Sequence, residues 1–170
     1  ILENNNHPEY KDKVVIVSGG GNVAMDISRT AKRMGAKKVV VIYRRSEAEM
    51  PADKKEIEEA KEEGVEFLFL TTITKIIGKD KVEKLELLKN ELVKKENDSR
   101  PVPVPIEESN YEIDADYVMM AIGSHPDEYI STLNLRQEKE RIKIDENGKT
   151  SDEKVFSGGD IAGTKGTVAW

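Results

Sequence analysis

The chain has 170 residues, 27 of them basic and 33 acidic, for a formal net charge of -6. That length suits one domain of ordinary size, and the mixed, net acidic charge argues against a general nucleic-acid or anionic-membrane surface. The absence of cysteine excludes disulfides, thiolate metal sites, iron–sulfur ligation and a C-x-x-C redox pair within this chain.

Residues 1–13 read as a polar lead-in. Residues 14–18, VVIVS, are a short β-branched run that predicts a buried strand. Gly19, Gly21 and Ala24 then fill a G-x-G-x-x-G/A pattern at the entry to a predicted helix over 22–34. In such a loop Gly19 permits the tight turn and Gly21, lacking a Cβ, lets a pyrophosphate approach the backbone. Ala24 allows close helix–strand packing, and the helix N-terminus offers N–H groups to phosphates. The context of strand, loop, helix and second strand points to dinucleotide binding. Val23, Ile27, Ala31 and Met34 are expected on one apolar face of that helix, with Gly35 as its stop.

A second strand covers 38–43. NAD-binding units place a carboxylate at its end to accept hydrogen bonds from the ribose 2′-hydroxyl. Arg44 and Arg45 stand there instead. A guanidinium grips a 2′-phosphate bidentately and has no acceptor for a bare hydroxyl, so the pattern favours NADP(H). The alternative is a pair of solvated arginines, and Glu47 and Glu49 are carboxylates near enough in sequence to compete for a ribose. Pro51 is expected in the first turn of a helix over 51–63, which has only Ile57 and Ala60 as strong apolar anchors and stops at Gly64. A third strand covers 65–70.

Beyond it the βαβ rhythm breaks. Residues 73–77, 82–88 and 111–113 read as three antiparallel strands, with Gly78-Lys79-Asp80-Lys81 as a hairpin connection. Residues 94–105, charged and proline-rich, read as a loop or an irregular strand edge. Residues 117–121 form a further buried strand that ends near Gly123. Residues 141–145 are a weak strand, Glu146-Asn147-Gly148 a turn, and 155–157 a short strand before Gly158-Gly159-Asp160. The fold class expected is α/β: a Rossmann-like domain with a central parallel sheet, flanking helices and a three-stranded antiparallel meander. His7 and His125 sit beside prolines in expected loops and read as surface residues. No apolar run approaches the roughly 18 residues of a membrane helix, and no signal peptide is evident, so a cytoplasmic location without membrane or nucleic-acid partners is expected. A chain that starts at Ile1 and stops at Trp170 reads as a piece of a longer protein. No Tyr-x-x-x-Lys pair and no Ser/His/Asp set stands out, so no catalytic residue is assigned.

Taken together, GGGNVAMD, RTAKRMGAKKVVVIYRRSEAEMPA, EEAKEEGVEF, RPVPVPIE, MMAIGSHP and VFSGGDIAG resemble, in this order, the small (β) subunit of NADPH-dependent glutamate synthase. Its relatives include the large subunit of NADH-dependent ferredoxin:NADP oxidoreductase, some sulfide dehydrogenases and part of dihydropyrimidine dehydrogenase. The resemblance runs from about residue 12 to the end. It implies an NADPH-binding domain over 14–123 and, over 124–170, the returning part of an FAD domain into which the NADPH domain is inserted. It implies a parent oxidoreductase that passes hydride from NADPH to FAD and electrons on to iron–sulfur clusters outside this chain. The implied partners are the remainder of the polypeptide and a large synthase subunit or another electron acceptor. The alternative is an NADP(H)-binding sensor or electron-transfer subunit unconnected with glutamate. A thioredoxin-reductase-like function would need a C-x-x-C pair.

Carried over by position, Gly19, Gly20, Gly21, Asn22, Val23 and Ala24 match the phosphate loop, and Arg44 and Arg45 the 2′-phosphate site. Asp26 matches an acidic position near the nicotinamide; alternatively it is a first-turn acid favoured by the helix dipole. Ala121, Ile122 and Gly123 match the A-x-G crossover beside the cofactor. Gly159 and Asp160 match the GGD motif, whose Asp bonds the FAD ribityl chain, and Gly166, Thr167 and Val168 match the helix N-terminus facing the flavin. Ser18 departs from the family's aliphatic residue and is expected to weaken core packing slightly; residues 161–165 also differ.

Overall fold

The computed structural model describes residues 8–94, 100–123, 128–138 and 140–163. His7, His125, Gly166, Thr167 and Val168 lie outside the described residues. The chain divides into two compact units after Gly123.

In the first unit four parallel strands take the order β3-β2-β1-β8: β1 Val14–Ser18, β2 Lys38–Ile42, β3 Glu66–Leu68 and β8 Tyr117–Met120. Both faces of this sheet are covered, which is why β1 and β2 read as continuous apolar runs rather than alternating ones. Val15, Val17, Val39 and Val41 pack on the helical side with Met25, Ala31, Ile57 and Ala60. Ile16, Val40 and Ile42 face the other way, against Leu85 and Leu87 of a second, antiparallel sheet. The helices therefore occupy one face only.

Helix α1 (Asn22–Arg33) buries Ala24, Met25, Ser28 and Ala31. The expected apolar face is thus rotated: Val23 is 62% exposed, Ile27 is half-buried, and two small residues and a serine take the inner stripe. Ser28 is tolerated there because its hydroxyl donates to the Met25 carbonyl at 2.9 Å. Gly35 ends the helix in the left-handed region (φ 89°). Helix α2 (Lys54–Glu62) starts later than expected. Asp53 is its N-cap, accepting from the Lys55 N–H at 2.8 Å, and Pro51 precedes the cap. The lead-in is not wholly peripheral either: Tyr10 is 5% exposed and meets Tyr117 edge-on at 5.3 Å.

The second sheet has one more strand than expected. β4 (Thr71–Ile77) and β5 (Lys84–Val93) pair antiparallel across a turn that requires Gly78, where a Cβ would sit 1.8 Å from the Lys81 carbonyl oxygen. The other edge of β5 is shared: Lys84 to Leu87 pair with β7 (Tyr111–Asp114), and Asn90 to Val93 pair with β6 (Val102–Pro105). The prolines do not prevent β6 from forming. Pro101, Pro103 and Pro105 alternate with Val102 and Val104, so every missing N–H falls on the edge away from β5. The Ile106 N–H, in the same phase as the valines, donates to the Lys89 carbonyl at 2.9 Å.

The second unit carries α3 (Tyr129–Thr132), a two-residue pairing of β9 (Gln137–Glu138) with β10 (Arg141–Ile142), and a 3-10 turn at Gly159–Ala162. The strand expected over 141–145 shrinks to β10. The strand expected over 155–157 is a single bridge, Lys149 to Phe156. Asp145 causes both: its carboxylate accepts from the Asn147 and Lys149 N–H groups at 2.9 Å each, turning the chain before a longer strand can form.

Candidate functional site

The carboxyl ends of β1, β2 and β8 converge on the glycine loop. The Gly19 N–H donates to the Ile42 carbonyl at 3.0 Å, and the Ala121 N–H donates to the Ser18 carbonyl at 2.7 Å. Gly19 has φ 147°, and a Cβ there would fall 2.2 Å from the Ala121 carbonyl oxygen. This position needs glycine for the fold itself. A Cβ at Gly20 would lie 2.6 Å from the Tyr43 ring. At Gly21 the nearest heavy atom to such a Cβ is the Pro51 Cγ, at 3.9 Å. Gly19 and Gly20 therefore press on protein, and Gly21 borders open space. Ser18 lies at the half-buried end of β1, outside the fully buried run Val15 to Val17.

Gly21 is the N-cap of α1 and supplies no side-chain cap. The Asn22 Oδ1 accepts from the Asp53 N–H at 2.8 Å instead of turning back on the helix. The Ala24 N–H donates to the Gly21 carbonyl at 2.9 Å, which leaves the N–H groups of Asn22 and Val23 to carry the positive end of the helix dipole. No acidic residue lies in that turn. Asp26 is one residue beyond it and exposed, so the expected first-turn dipole role does not apply. Ile122 is 71% exposed, and Gly123 takes φ 101° at the end of the crossover.

Beside this loop, at the end of β2, Tyr43 is buried and its hydroxyl donates to the Glu49 carbonyl at 2.8 Å. Arg44 is exposed. Arg45 is half-buried and donates from Nε to the Pro101 carbonyl at 2.9 Å. The competing carboxylates are both engaged. Glu49 closes a capping box, accepting from the Ser46 N–H at 3.1 Å and the Ser46 hydroxyl at 2.6 Å, and Glu47 pairs with Lys61 at 2.5 Å. Behind the loop, Arg29 ties α1 to α2 through Glu56, Glu59 and Glu63. Hydrogen bonds from Arg33, then Arg29, hold the Glu63 carboxyl below its usual range.

In the second unit Gly159 and Asp160 lie in the 3-10 turn that ends at Gly163 (φ 68°), and Asp160 is exposed. Tyr43 and Pro101 were not expected at this site, nor was Asn90, whose side-chain amide donates to the Arg44 carbonyl at 3.3 Å. The only sequence signals were an asparagine in an otherwise strand-like run and the RPVPVP motif itself. Among the described residues no cluster of His, Asp or Glu could hold a metal ion. No helix among them is long and apolar enough to cross a membrane.

The family model for pyridine nucleotide-disulphide oxidoreductase matches residues 1–169. The glutamate synthase [NADPH] small chain of Halomonas elongata is 39% identical over 154 residues, covering 86% of this chain and 33% of that protein. The NADP(+)-dependent formate dehydrogenase subunit beta of Moorella thermoacetica is 40% identical over 159 residues, covering 91% of this chain and 22% of that protein. The chain thus spans a third or less of these two relatives. Among solved structures, the thioredoxin reductase of T. acidophilum superposes with a TM-score of 0.73 at 19% identity, over 95% of this chain and 47% of that one, a likeness of fold alone.

Proposed function

This chain belongs to the pyridine nucleotide-disulphide oxidoreductase family, and from that premise we propose that residues 14–123 bind NADPH for a flavin-dependent oxidoreductase of the glutamate synthase small-chain type. One observation carries the proposal. An uncapped helix N-terminus with open space at Gly21 and an arginine pair at the end of the adjacent strand lie on the same edge of the parallel sheet. The first suits a pyrophosphate and the second a 2′-phosphate, at neighbouring strand ends as one adenosine moiety requires. With Glu47 and Glu49 engaged elsewhere, the arginines face no rival for the ribose substituent. Asn22, Val23 and Ala24 complete the loop. Ala121, Ile122 and Gly123 are assigned to the crossover beside the cofactor, and Asp26 to a position near the nicotinamide.

Gly159 and Asp160 are assigned to FAD. The exposed carboxylate of Asp160, on a turn with nothing within 4 Å of a Cβ at Gly159, is open to a hydroxyl-rich ligand. Thr167 and Val168 share this assignment by family position only. Bound flavin would supply the hydride acceptor, and iron–sulfur clusters outside this chain would carry the electrons away. The chain's own residues bind and orient. The partners are the rest of the polypeptide and either a large synthase subunit or another acceptor. A second acceptor class is favoured by near-equal identity to a formate dehydrogenase subunit and to a glutamate synthase small chain. An electron-transfer role unconnected with glutamate therefore stands beside the first.

The test is separable reduction in the whole polypeptide. Gly21→Val meets no protein atom closer than ordinary contact at its Cβ, so it should keep flavin and stability but lose reduction by NADPH. Asp160→Ala should lower flavin occupancy, losing about 1.5–3 kcal/mol for a charged hydrogen bond. Anaerobic stopped-flow reduction with flavin content reads both. Parent-like reduction of Gly21→Val by NADPH would overturn the phosphate-loop assignment.

A further inference from the structure

Three consecutive carbonyls carry the arginine turn, and each is held by the segment from Leu70 to Asn90. The Tyr43 carbonyl accepts from the Thr71 N–H at 3.2 Å, and the Arg45 carbonyl from the Leu70 N–H at 3.0 Å. The Arg44 carbonyl accepts from the Asn90 side-chain amide at 3.3 Å. Asn90 is 4% exposed; its Nδ2 also donates to the Thr72 hydroxyl at 2.9 Å, and its backbone N–H donates to the Leu70 carbonyl at 2.7 Å. A buried amide replaces what could have been an apolar strand residue, and both Nδ2 hydrogens find acceptors. Immediately before β6, the Pro101 carbonyl accepts from the Nε of Arg45. With Nε committed, the planar guanidinium is restrained and its two terminal nitrogens remain as the fork that suits a phosphate.

We infer that the antiparallel sheet is the selectivity clamp of the nucleotide site: Asn90 is a positioning residue for Arg44, and the RPVPVP strand, through the Pro101 carbonyl, positions Arg45. This inference rests on the proposed 2′-phosphate role of the two arginines. It gives the sheet that backs the parallel strands a second job. It also explains why a proline-rich segment forms a strand at the far half of β5, since that pairing brings Pro101 to Arg45. Unconstrained arginines would lose side-chain entropy on gripping a phosphate, and restraint before binding removes part of that cost.

Two small probes isolate the effect: adenosine 2′,5′-bisphosphate, which carries the 2′-phosphate, and 5′-AMP, which does not. Binding of both is measured by calorimetry or by competition on the unmodified protein, Asn90→Leu and Thr72→Val. The unmodified protein should prefer the bisphosphate by about 10-fold or more. Asn90→Leu, similar in size but without the donor, should cut that preference about 3- to 10-fold, the worth of one buried hydrogen bond, with 5′-AMP binding unchanged. Thr72→Val, which removes only the partner that orients the amide, should shift the preference in the same direction by less, and it serves where Asn90→Leu folds poorly. Equal weakening of both probes means a merely structural asparagine and overturns the inference, as does full preference retained in both variants. No preference in the unmodified protein overturns the 2′-phosphate reading itself, and the clamp with it.

Discussion

Residues 14–123 bury Val15, Ile16, Val17, Met25, Leu85 and Leu87 completely, in two layers on either side of a parallel sheet. Among the described residues of 124–170, Ile142 is the one buried hydrophobic, while Tyr129 and Phe156 are each 63% exposed. The first unit has a core of its own. The second has short pairings, an Asx-type turn at Asp145 and apolar side chains turned outward. Its described residues bury little apolar surface to set against chain entropy. The contrast separates the unit that presents the proposed nucleotide site from one whose described apolar residues are largely exposed.

The largest expected effect is in hydrogen exchange. Amides of Val15, Ile16 and Val17 should open only with global unfolding, whereas those around the Lys149–Phe156 bridge should exchange faster by about three orders of magnitude or more. Equal protection in a monomer would erase the contrast. Core truncation sharpens it next. Ile16→Ala should cost about 2–5 kcal/mol in urea unfolding, because Ile16 is fully buried between the sheets, and Phe156→Ala less than about 0.5 kcal/mol. Comparable losses would mean that the second unit has a core after all.

A smaller effect should be found at the join of β1 and β8. The Asp116 carboxylate accepts from the Val14 N–H at 2.9 Å and pairs with Lys13 at 3.4 Å. The backbone bond first, and Lys13 after it, hold its pKa below the usual carboxylate value. The folded state therefore binds this proton less readily than the unfolded chain. The stabilisation is complete above the unfolded value, near pH 4, and is lost as pH falls through the depressed folded value. Asp116→Asn should lower stability at neutral pH and converge on the parent in acid. Parallel acid-unfolding curves with a constant offset would contradict this.

The parallel strands and both long helices were legible because buried β-branched runs and helix stops are local signals. So were the glycine loop and the arginine pair, which lie within one βαβ step of each other. The inner stripe of α1 was not, since Ala24, Ser28 and Ala31 carry little hydrophobic signal and Val23 carries a misleading one. Strand β6 was legible only as one of two readings, a loop or an irregular strand edge, because the phase of the three prolines shows only against β5. The hold of Asn90 on Arg44 and of Pro101 on Arg45 depends on pairings across 46 and 56 positions, which no local pattern encodes. The short strand at 155–157 was over-read, and the Asp145 turn leaves it one bridge.

The most direct measurement is a calorimetric titration of the protein with NADPH and with NADH, repeated on Arg44→Ala. The account predicts a preference of about 10- to 100-fold for NADPH, from a charge-assisted contact worth about 1.5–3 kcal/mol. It also predicts that Arg44→Ala loses most of that preference while keeping its weaker NADH binding. Equal affinities in the parent protein, or tighter binding of NADH, would contradict it.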